Sequence, residues 1–326
     1  MGIQSVYAAE NKQQMQTFMR AVLRDMQALE YMLDNDWFES DITRIGAEQE
    51  MCLVDKFGRP AAINMEVLKD FHPEWLTTEL AKFNLECNLQ PQLFEGDCFT
   101  EIEVEIARYL AQIAEKIEPH DARILLTGIL PTIRKTDMGR DNITPVPRYF
   151  ALLDSLRQMR GDAHELHLSG IDELRLKHDS PFLEACNTSF QVHLQVAPQD
   201  FVKLYNISLA VAAPVMAMAA NSPLLFGKRL WHETRIALFQ QSVDTRVTHD
   251  HLRERSPRVT FGNDWLHGSI LDIYREDISR YRPVLSSDVE EDSLALVKQG
   301  IIDVTQEKHF EDIHMETQSV GVPRYN

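Results

Sequence analysis

Cysteine is scarce in this sequence, with 4 residues among 326. Cys52, Cys87, Cys98 and Cys186 are scattered along the chain, and none of them belongs to a CxxC pair. Disulfide scaffolds and cysteine-based zinc sites both need such residues at regular or close spacing. The sequence therefore predicts neither kind of structure, which is typical of a protein in a reducing compartment.

A hydrophobic run long enough for a membrane helix is also missing. The longest one, Ile207 to Ala220, contains Pro214 and falls short of the roughly 20 residues that span a bilayer. Met1 to Asn11 has no basic stretch followed by an apolar one, as a secretory signal peptide would have. We therefore predict no membrane partner and a cytoplasmic location.

Basic residues are the minority among the charges: 33 Lys and Arg stand against 50 Asp and Glu, which gives a formal net charge of −17. A surface this acidic repels phosphate backbones, so we predict no nucleic-acid partner. Acidic side chains can also gather divalent cations. An ordinary solvated surface would have the same balance, so the charge alone leaves both interpretations open.

Segments rich in proline, glycine or serine, which would indicate a linker, are not found. We therefore predict one domain over residues 1–326, with a helical segment over residues 1–40 packed on it. Apolar residues at helical spacing predict the first helix from Gln14 to Leu33. The sequence leaves the formation of a homo-oligomer open.

Further helices are predicted by the same spacing. The stretch from Phe201 to Ala219 is apolar on nearly all sides, which predicts a central helix. We expect polar loops around 137–147 and 162–180. The other predicted helices begin at Thr100 or cover Tyr149–Arg160 and Trp231–Arg246, with weaker patterns at Leu266–Tyr281 and Val289–Val304.

Three predicted strands carry polar side chains on one face. They cover Arg44–Val54, Phe83–Leu89 and Thr188–Val196, and a fourth strand of the buried type covers Ile124–Leu130. Alternation puts the following side chains on the polar faces: Glu48 and Glu50; Asn84, Glu86 and Asn88; Gln191, His193 and Gln195. An antiparallel sheet with one solvated face would show this pattern, and so would a sheet that lines a polar cavity.

Four motifs in order resemble the glutamate–cysteine ligases. The first three are the strand Ile45-Gly46-Ala47-Glu48-Gln49-Glu50, the stretch from His72 to Glu86 with Trp75, Thr77 and Thr78, and the strand from Phe190 to Val196. The fourth is the loop Ala220-Asn221-Ser222-Pro223, followed by Gly227, Lys228, Arg235 and Asp244-Thr245-Arg246. The resemblance covers Ile45 to Arg246 and is closest to the second group of that family, which includes carboxylate–amine ligases.

This resemblance implies an α+β fold of the glutamine synthetase type, in which helices back an antiparallel sheet curved into a half-barrel. It implies an ATP-dependent ligase that joins a small carboxylate, such as an amino acid, to an amine through an acyl phosphate. Mg²⁺ is the implied ion, and Mn²⁺ is the alternative. The implied metal-site residues are Glu48, Glu50, Glu79, Glu86 and His193.

The resemblance also assigns the residues that would bind anions. Lys228, Arg235 and Arg246 are the implied catalytic cations for phosphate and substrate carboxylate. Gln191 and Gln195, with Lys228 and Arg235, are the implied nucleotide-binding residues. Because Arg235 and Arg246 lie about three helical turns apart, we predict that they share one face of a helix.

The chain departs from the family pattern near its end. Family members carry a late strand with a glutamate and an arginine on its inner face, and no convincing counterpart follows Arg246. Ile301–Val304 is short, and Glu311–Glu316 alternates only weakly. We therefore expect an incomplete catalytic domain. A regulatory module that binds nucleotide and metal without turnover, and a guanidino or carboxylate kinase, remain alternatives to the ligase.

Overall fold

The computed structural model describes residues 12–161, 164–178, 181–246, 257–286 and 292–300. Within these ranges, helices and an antiparallel sheet form a mixed α+β fold, and the sheet does not close into a barrel. The helices are α1 Lys12–Asp34, α2 Asn64–Asp70, α3 Cys98–Ile117, α4 Pro147–Arg160, α5 Phe201–Met218, α6 Thr234–Ser242, α7 Ile270–Arg280 and α8 Ser293–Lys298. The strands are β1 Arg44–Asp55, β2 Leu76–Thr78, β3 Asn84–Asn88, β4 Gln92–Leu93, β5 Ala122–Leu125, β6 His164–Ser169, β7 Glu173–His178, β8 Phe190–Leu194, β9 Leu224–Leu225 and β10 Lys228–Arg229.

Strand β1 is the centre of a six-stranded sheet. It pairs with β3 and β4 along one edge and with β8 and β5 along the other, and β2 extends the sheet beyond β3. All of these pairings are antiparallel. The strands predicted at Arg44–Val54, Phe83–Leu89 and Thr188–Val196 are therefore present, each within a few residues of its predicted ends.

Helix α3 covers one face of this sheet. Met51 of β1 and Leu85 of β3 pack against Tyr109 and Ile113 of the helix, and Met51, Leu85 and Ile113 are fully buried. Alternation along β1 and β3 predicts Met51 and Leu85 on the faces opposite Glu50 and Glu86, and the structure agrees with it. The burial of each such side chain stabilises the folded state by about 1.5–3 kcal/mol. The face that carries Glu48, Glu50 and Glu86 therefore points away from α3.

A second layer lies against the other face of the sheet. Its core joins Cys52 and Val54 of β1 to buried residues of α4, α6, the β6–β7 hairpin and the short 3₁₀ helix Pro181–Cys186. Asn84 of β3 connects the two layers, because its side-chain amide donates to the carbonyl oxygen of Ala185 at 3.1 Å. The carboxylate face is thus partly enclosed between the sheet and this layer.

Helix α1 packs on the C-terminal part of the described chain rather than on the sheet. Phe18 and Val22 contact Ile278 of α7, and Leu29 packs against Leu271 and Tyr274 of the same helix. Asp25 of α1 accepts a hydrogen bond of 2.5 Å from the Ser293 hydroxyl at the start of α8. The helix predicted at Gln14 to Leu33 is confirmed.

Helix α5 is exposed, so the prediction of a central helix is wrong for the described residues. Only Ala212 and Met216 of this helix are buried, whereas Met218 is 91% exposed. An apolar composition indicates burial only where other elements surround a helix, and described residues cover a single side of α5. The segment Pro198–Met218 exceeds the predicted apolar run, and by length and composition alone it could cross a membrane.

Other predicted elements are also corrected. The segment predicted as a loop at 162–180 contains the β6–β7 hairpin, in which Leu166 pairs with Leu176. The helix predicted over Trp231–Arg246 is shorter, since α6 ends at Ser242. The strand predicted at Ile124–Leu130 ends at Leu125. Ile301–Val304 and Glu311–Glu316, considered for the late strand, lie outside the described residues.

All four cysteines are buried and free. Burial raises the pKa of the Cys52 and Cys87 thiols to about 12, and it raises the pKa of Cys186 as well. The prediction that the cysteines form no disulfide is confirmed. Because thiolates are the reactive form of cysteine, the raised pKa values make Cys52, Cys87 and Cys186 unreactive.

Candidate metal and active site

The register of the sheet brings the predicted polar faces together. In the β1–β3 pair, Glu50 lies opposite Glu86 and Glu48 lies opposite Asn88. On the other edge of β1, Gln191 of β8 pairs with Glu48. Residues that are directly opposite in an antiparallel pair point to the same side of the sheet. The three strands therefore share one polar face, as alternation along each of them indicates.

Glu79 reaches this face from the segment that follows β2. Thr77 of β2 lies opposite Glu86 in the sheet, and Glu79 comes two residues later, where alternation returns the side chain to the same face. Ligand atoms of Glu50, Glu79 and Glu86 all lie within 4.8 Å of one another. These three residues are called the carboxylate cluster below.

Hydrogen bonds hold each member of the carboxylate cluster in place. The hydroxyl of Ser189 donates to Glu50 Oε2 at 2.8 Å, and Asn88 Nδ2 donates to Glu86 Oε1 at 3.1 Å. The backbone N–H of Leu80 donates to Glu79 Oε2 at 3.2 Å. Donors that fix a carboxylate reduce the entropy that it loses when it binds a ligand.

Burial and mutual repulsion disfavour the charged form of this cluster. Burial, reinforced by the charges of Glu50 and Glu184, raises the pKa of Glu79 to about 8. Burial, reinforced by Glu79 and Glu48, raises the pKa of Glu86 to about 9, and the two carboxyl groups share a hydrogen bond. A bound cation would remove this repulsion. Three close carboxylates are also the hard oxygen donors that Mg²⁺ prefers, so the residues present fit that ion.

Two of the five predicted metal-site residues lie beside the cluster rather than in it. His193 Nε2 is 3.3 Å from Glu48 Oε1, and the His193 side chain is exposed. Glu48 is nevertheless close enough to contribute to the raised pKa of Glu86. The roles of Glu48 and His193 as ligands remain predictions.

The two predicted glutamines have different surroundings. Gln191 is buried on the polar face, and its Nε2 has no hydrogen-bond partner among the residues that the structure describes. Gln195 lies one residue beyond β8, where it accepts from Arg44 Nη1 at 2.9 Å and donates to Glu39 Oε2 at 2.8 Å. Both ends of the Gln195 amide therefore have protein partners, whereas Gln191 keeps a donor for a ligand.

Arg235 is buried in an ion pair. Its Nε lies 2.6 Å from Glu233 Oε2, and its Nη1 donates to the carbonyl oxygen of Thr188 at 3.2 Å. The guanidinium also lies beside Gly128, where an added Cβ would come within 3.3 Å of Arg235 Cδ. Its charge is thus largely neutralised within the protein.

The other two predicted cations lie elsewhere. Arg246 is outside α6 and forms an ion pair of 2.7 Å with Asp244, so the prediction that Arg235 and Arg246 share a helix face is wrong. Lys228 is exposed on the β9–β10 hairpin, and its charge acts on Asp172 of the β6–β7 turn. The catalytic roles of Lys228, Arg235 and Arg246 remain predictions.

A cavity of about 210 Å³ opens beside the carboxylate cluster. Its polar end is formed by residues from the sheet, from the chain between Pro181 and Ser189 and from α6, namely Glu50, Glu184, Asn187, Ser189, Gln191 and Arg235. Its remaining wall is mostly apolar and comes from α4, α5, α6 and the segment 259–261, with Leu152, Leu156, Met216, Ile236, Phe239, Val243, Val259 and Phe261. The cavity therefore connects a charged centre to an apolar chamber.

Some residues of this site were missed in the sequence. Alternation could have found Ser189, because it shares the polar face of its strand with Gln191. Glu184 lies in the short 3₁₀ helix Pro181–Cys186 and Asn187 follows it directly, and this segment has no periodic pattern. Glu233 is close to Arg235 in sequence, but nothing in the sequence indicates that the two form a buried pair.

Comparison with known proteins supports the resemblance of the motifs. The family model described as glutamate-cysteine ligase family 2 (GCS2) matches residues 44–307, which include the whole carboxylate cluster and all residues of the cavity wall. No curated protein matches the chain. Membership of this family implies a ligase with small-molecule substrates and suggests carboxylate–amine ligase activity. Since the match covers most of its length, the chain belongs to glutamate-cysteine ligase family 2.

Proposed function

We propose that this protein is an ATP- and Mg²⁺-dependent carboxylate–amine ligase that forms an amide through an acyl phosphate. The observation that supports the proposal most directly is the carboxylate cluster, whose three ligand atoms lie within 4.8 Å of one another next to a cavity. Because the chain belongs to this family, ligase chemistry is the activity that best explains this geometry. With it we propose a half-barrel of the glutamine synthetase type and a cytoplasmic location.

The carboxylate cluster would hold the divalent ion. Glu50, Glu79 and Glu86 supply its oxygen donors, and Glu48 adds negative charge beside them. When bound, Mg²⁺ neutralises phosphate oxygens and the charge that develops on them. Ser189 and Asn88 keep the carboxylates of Glu50 and Glu86 oriented toward the shared centre.

The proposed reaction has two steps. A carboxylate oxygen of the substrate attacks the γ-phosphorus of ATP, the bond from that phosphorus to the β–γ bridging oxygen breaks, and ADP leaves. The amine nitrogen then attacks the carbonyl carbon, and the bond to the phosphate oxygen breaks. Of the two protons that the ammonium group gives up, phosphate takes one and solvent takes the other.

The residues around the cavity suit the second step. Asn187 and Gln191 offer amide groups at its polar end, and the side-chain amide of Asn187 has no hydrogen-bond partner in the described part of the chain. The apolar wall excludes water, which would otherwise hydrolyse an acyl phosphate. These groups would bind and orient the reactants while the ATP supplies the driving force.

A second candidate is a module that binds nucleotide and metal without turnover. It is favoured by the ion pairs of Arg235 with Glu233 and of Arg246 with Asp244, because neutralised arginines stabilise a developing phosphate charge less well. The ligase and the binding module would both use the carboxylate cluster to hold the metal ion.

The two candidates are separated by measuring ADP release and amide formation with Mg²⁺-ATP and a panel of carboxylates and amines. ADP that appears only with a particular acid and amine, together with the amide, supports the ligase. ADP without dependence on an amine indicates kinase chemistry instead. A rise in the unfolding temperature with Mg²⁺-ATP, without ADP release from any pair, supports the binding module.

A further inference from the structure

We propose that the cavity beside the carboxylate cluster receives the uncharged, apolar side chain of the amine substrate, an inference that rests on the proposed ligase activity. The preferred amine would then carry an aromatic or branched aliphatic group. Four features of the cavity point to this class of substrate: its size, its wall, the charges at its polar end and its distance from the cluster.

Size sets the first limit. A protein cavity of about 150 Å³ lined by Leu, Ile and Phe binds benzene. The volume of about 210 Å³ therefore takes one ring, or one branched chain, with a few further atoms. The side chain of a small amine such as glycine or alanine would leave most of this space unfilled, and the wall would lose the contacts that make binding favourable.

The wall sets the second limit. Phe239 and Ile236 of α6 line the cavity together with Leu152 and Leu156 of α4, and Phe261 lines it with half of its surface exposed. The amide of Gln240 donates to the carbonyl oxygen of Val259 at 3.0 Å, which ties the segment 259–261 to α6. A polar side chain placed here would lose its hydrogen bonds to water without replacement.

Charge excludes an anionic side chain. Among the described residues that line the cavity, Arg235 is the one cation, and it is already paired with Glu233. The carboxylates of Glu50 and Glu184 also line the cavity. The polar end therefore attracts the ammonium group of the amine and repels an anionic side chain, which favours the amine over the acid as the occupant.

Proximity to the cluster argues against the nucleotide base. Glu50 belongs to both the carboxylate cluster and the cavity wall, so an occupant of the cavity lies next to the atoms that the cluster binds. In ATP, a ribose and two phosphates separate the adenine ring from the γ-phosphorus. The side chain of an amine is instead joined directly to the reacting end of the molecule.

The first test measures binding and needs no turnover. The probes are 2-phenylethylamine and ethylamine, which share an ammonium group and differ in the ring. We expect 2-phenylethylamine to bind at least tenfold more tightly in calorimetry. Thr260→Trp, which adds bulk at the cavity wall, should remove this preference, and Thr136→Trp on the exposed 3₁₀ helix Lys135–Met138 should keep it.

Phe239→Ala is a second variant, which keeps the test decisive if Thr260→Trp does not fold. It enlarges the same cavity, and we expect it to bind 2-(2-naphthyl)ethylamine more tightly than the parent protein does. Equal affinities for ethylamine and 2-phenylethylamine would overturn the inference. So would a Thr260→Trp variant that folds normally, loses affinity for ADP and keeps its affinity for 2-phenylethylamine, because the cavity would then hold the base.

A turnover assay separates this inference from the proposed function. Mg²⁺-ATP and L-glutamate are combined with L-phenylalanine, L-leucine, L-alanine or L-cysteine, and the assay is repeated with other acids. Amide formation that prefers phenylalanine or leucine and is lost in Thr260→Trp supports both proposals. Ligation confined to small amines and unaffected by Thr260→Trp overturns the inference and leaves the ligase standing. Selective binding of 2-phenylethylamine without ligation by any pair overturns the ligase, and with it the role of the bound amine as a substrate, and leaves only the preference of the cavity for an apolar amine.

Discussion

Glu50 and Glu86 lie directly opposite each other in the antiparallel register of β1 and β3, with their side chains on the same face. Like charges in such a position destabilise a sheet. The two carboxylates therefore repel each other unless a cation lies between them, and Glu79 increases the repulsion. A bound cation would cancel this repulsion, so the same carboxylates would form its binding site.

The first prediction concerns Glu86→Gln. Gln keeps the shape of the side chain and removes a ligand charge, so we expect at least a tenfold loss of affinity for Mg²⁺ or Mn²⁺, about 1.4 kcal/mol. Ligase activity should fall on the order of 100-fold. Calorimetry with the metal ion alone measures the first effect. Glu103→Gln, on the exposed side of α3, is the matched control and should leave both quantities unchanged. Unaltered metal affinity in Glu86→Gln would remove Glu86 from the site.

The second prediction concerns the ion pair of Arg235 with Glu233. Glu233→Ala leaves a mostly buried guanidinium without its partner, so the free energy of unfolding should fall by about 3 kcal/mol. The double variant Glu233→Ala with Arg235→Met should recover part of this loss, because no unpaired charge remains. Urea unfolding measures both. In the exposed pair of Arg175 with Glu173, Glu173→Ala should cost less than about 1 kcal/mol. Equal losses in both pairs would contradict the burial of Arg235.

The third prediction concerns Gly170 at the β6–β7 turn. A Cβ at this position would come within 2.5 Å of Leu230 Cα, so the backbone of the β9–β10 region would have to move. We expect Gly170→Ala to lower the free energy of unfolding by about 2 kcal/mol. Gly139→Ala is the control, since its nearest contact would be the Thr136 carbonyl oxygen at 3.8 Å. If both variants unfold at the same urea concentration, the hairpin does not pack as described.

The fourth prediction concerns pH. Burial, reinforced by Glu276, raises the pKa of Asp277 from 3.8 to about 6, although Arg258 and Arg280 oppose the rise. Tyr205 and Tyr281 also face this carboxylate. A raised pKa means that the folded state holds the proton more tightly, so this contribution to stability is complete below about pH 4 and is lost as the pH rises through about 6.

The variant Asp277→Asn isolates this effect. Its free energy of unfolding should exceed that of the parent protein by about 1 kcal/mol more at pH 7.5 than at pH 4, after allowance for partial solvent screening. Urea unfolding at several pH values measures the difference. Parallel curves for the two proteins would show that Asp277 does not titrate in this way.

Alternation along the strands predicted the polar face correctly because it is a local property. Glu50 and Glu86 could be put on one side of their strands without knowledge of their neighbours, and their separate patterns then met in the sheet. Glu79 lies outside any strand, so its position in the cluster came only from the resemblance of the motifs. The two sources of information agree on Glu50 and Glu86, and the resemblance alone adds Glu79.

Features that depend on distant partners could not be predicted. Helix α5 reads as a core helix, yet its burial is decided by what packs against it. The cavity draws its wall from four separate regions, and no single region has a sequence pattern for it. The β6–β7 hairpin was missed for a different reason. Its sequence does carry a strand pattern, because apolar residues alternate with polar ones at Leu166, Leu168, Leu174 and Leu176.

The burial of all four native thiols has a practical consequence for spectroscopy. A maleimide dye would find no accessible sulfur on the folded protein, so the natural cysteines need not be removed before labelling. Phe261→Cys, at an exposed position of the cavity wall, would provide a single attachment point. An environment-sensitive fluorophore there would report in real time when a molecule enters the chamber.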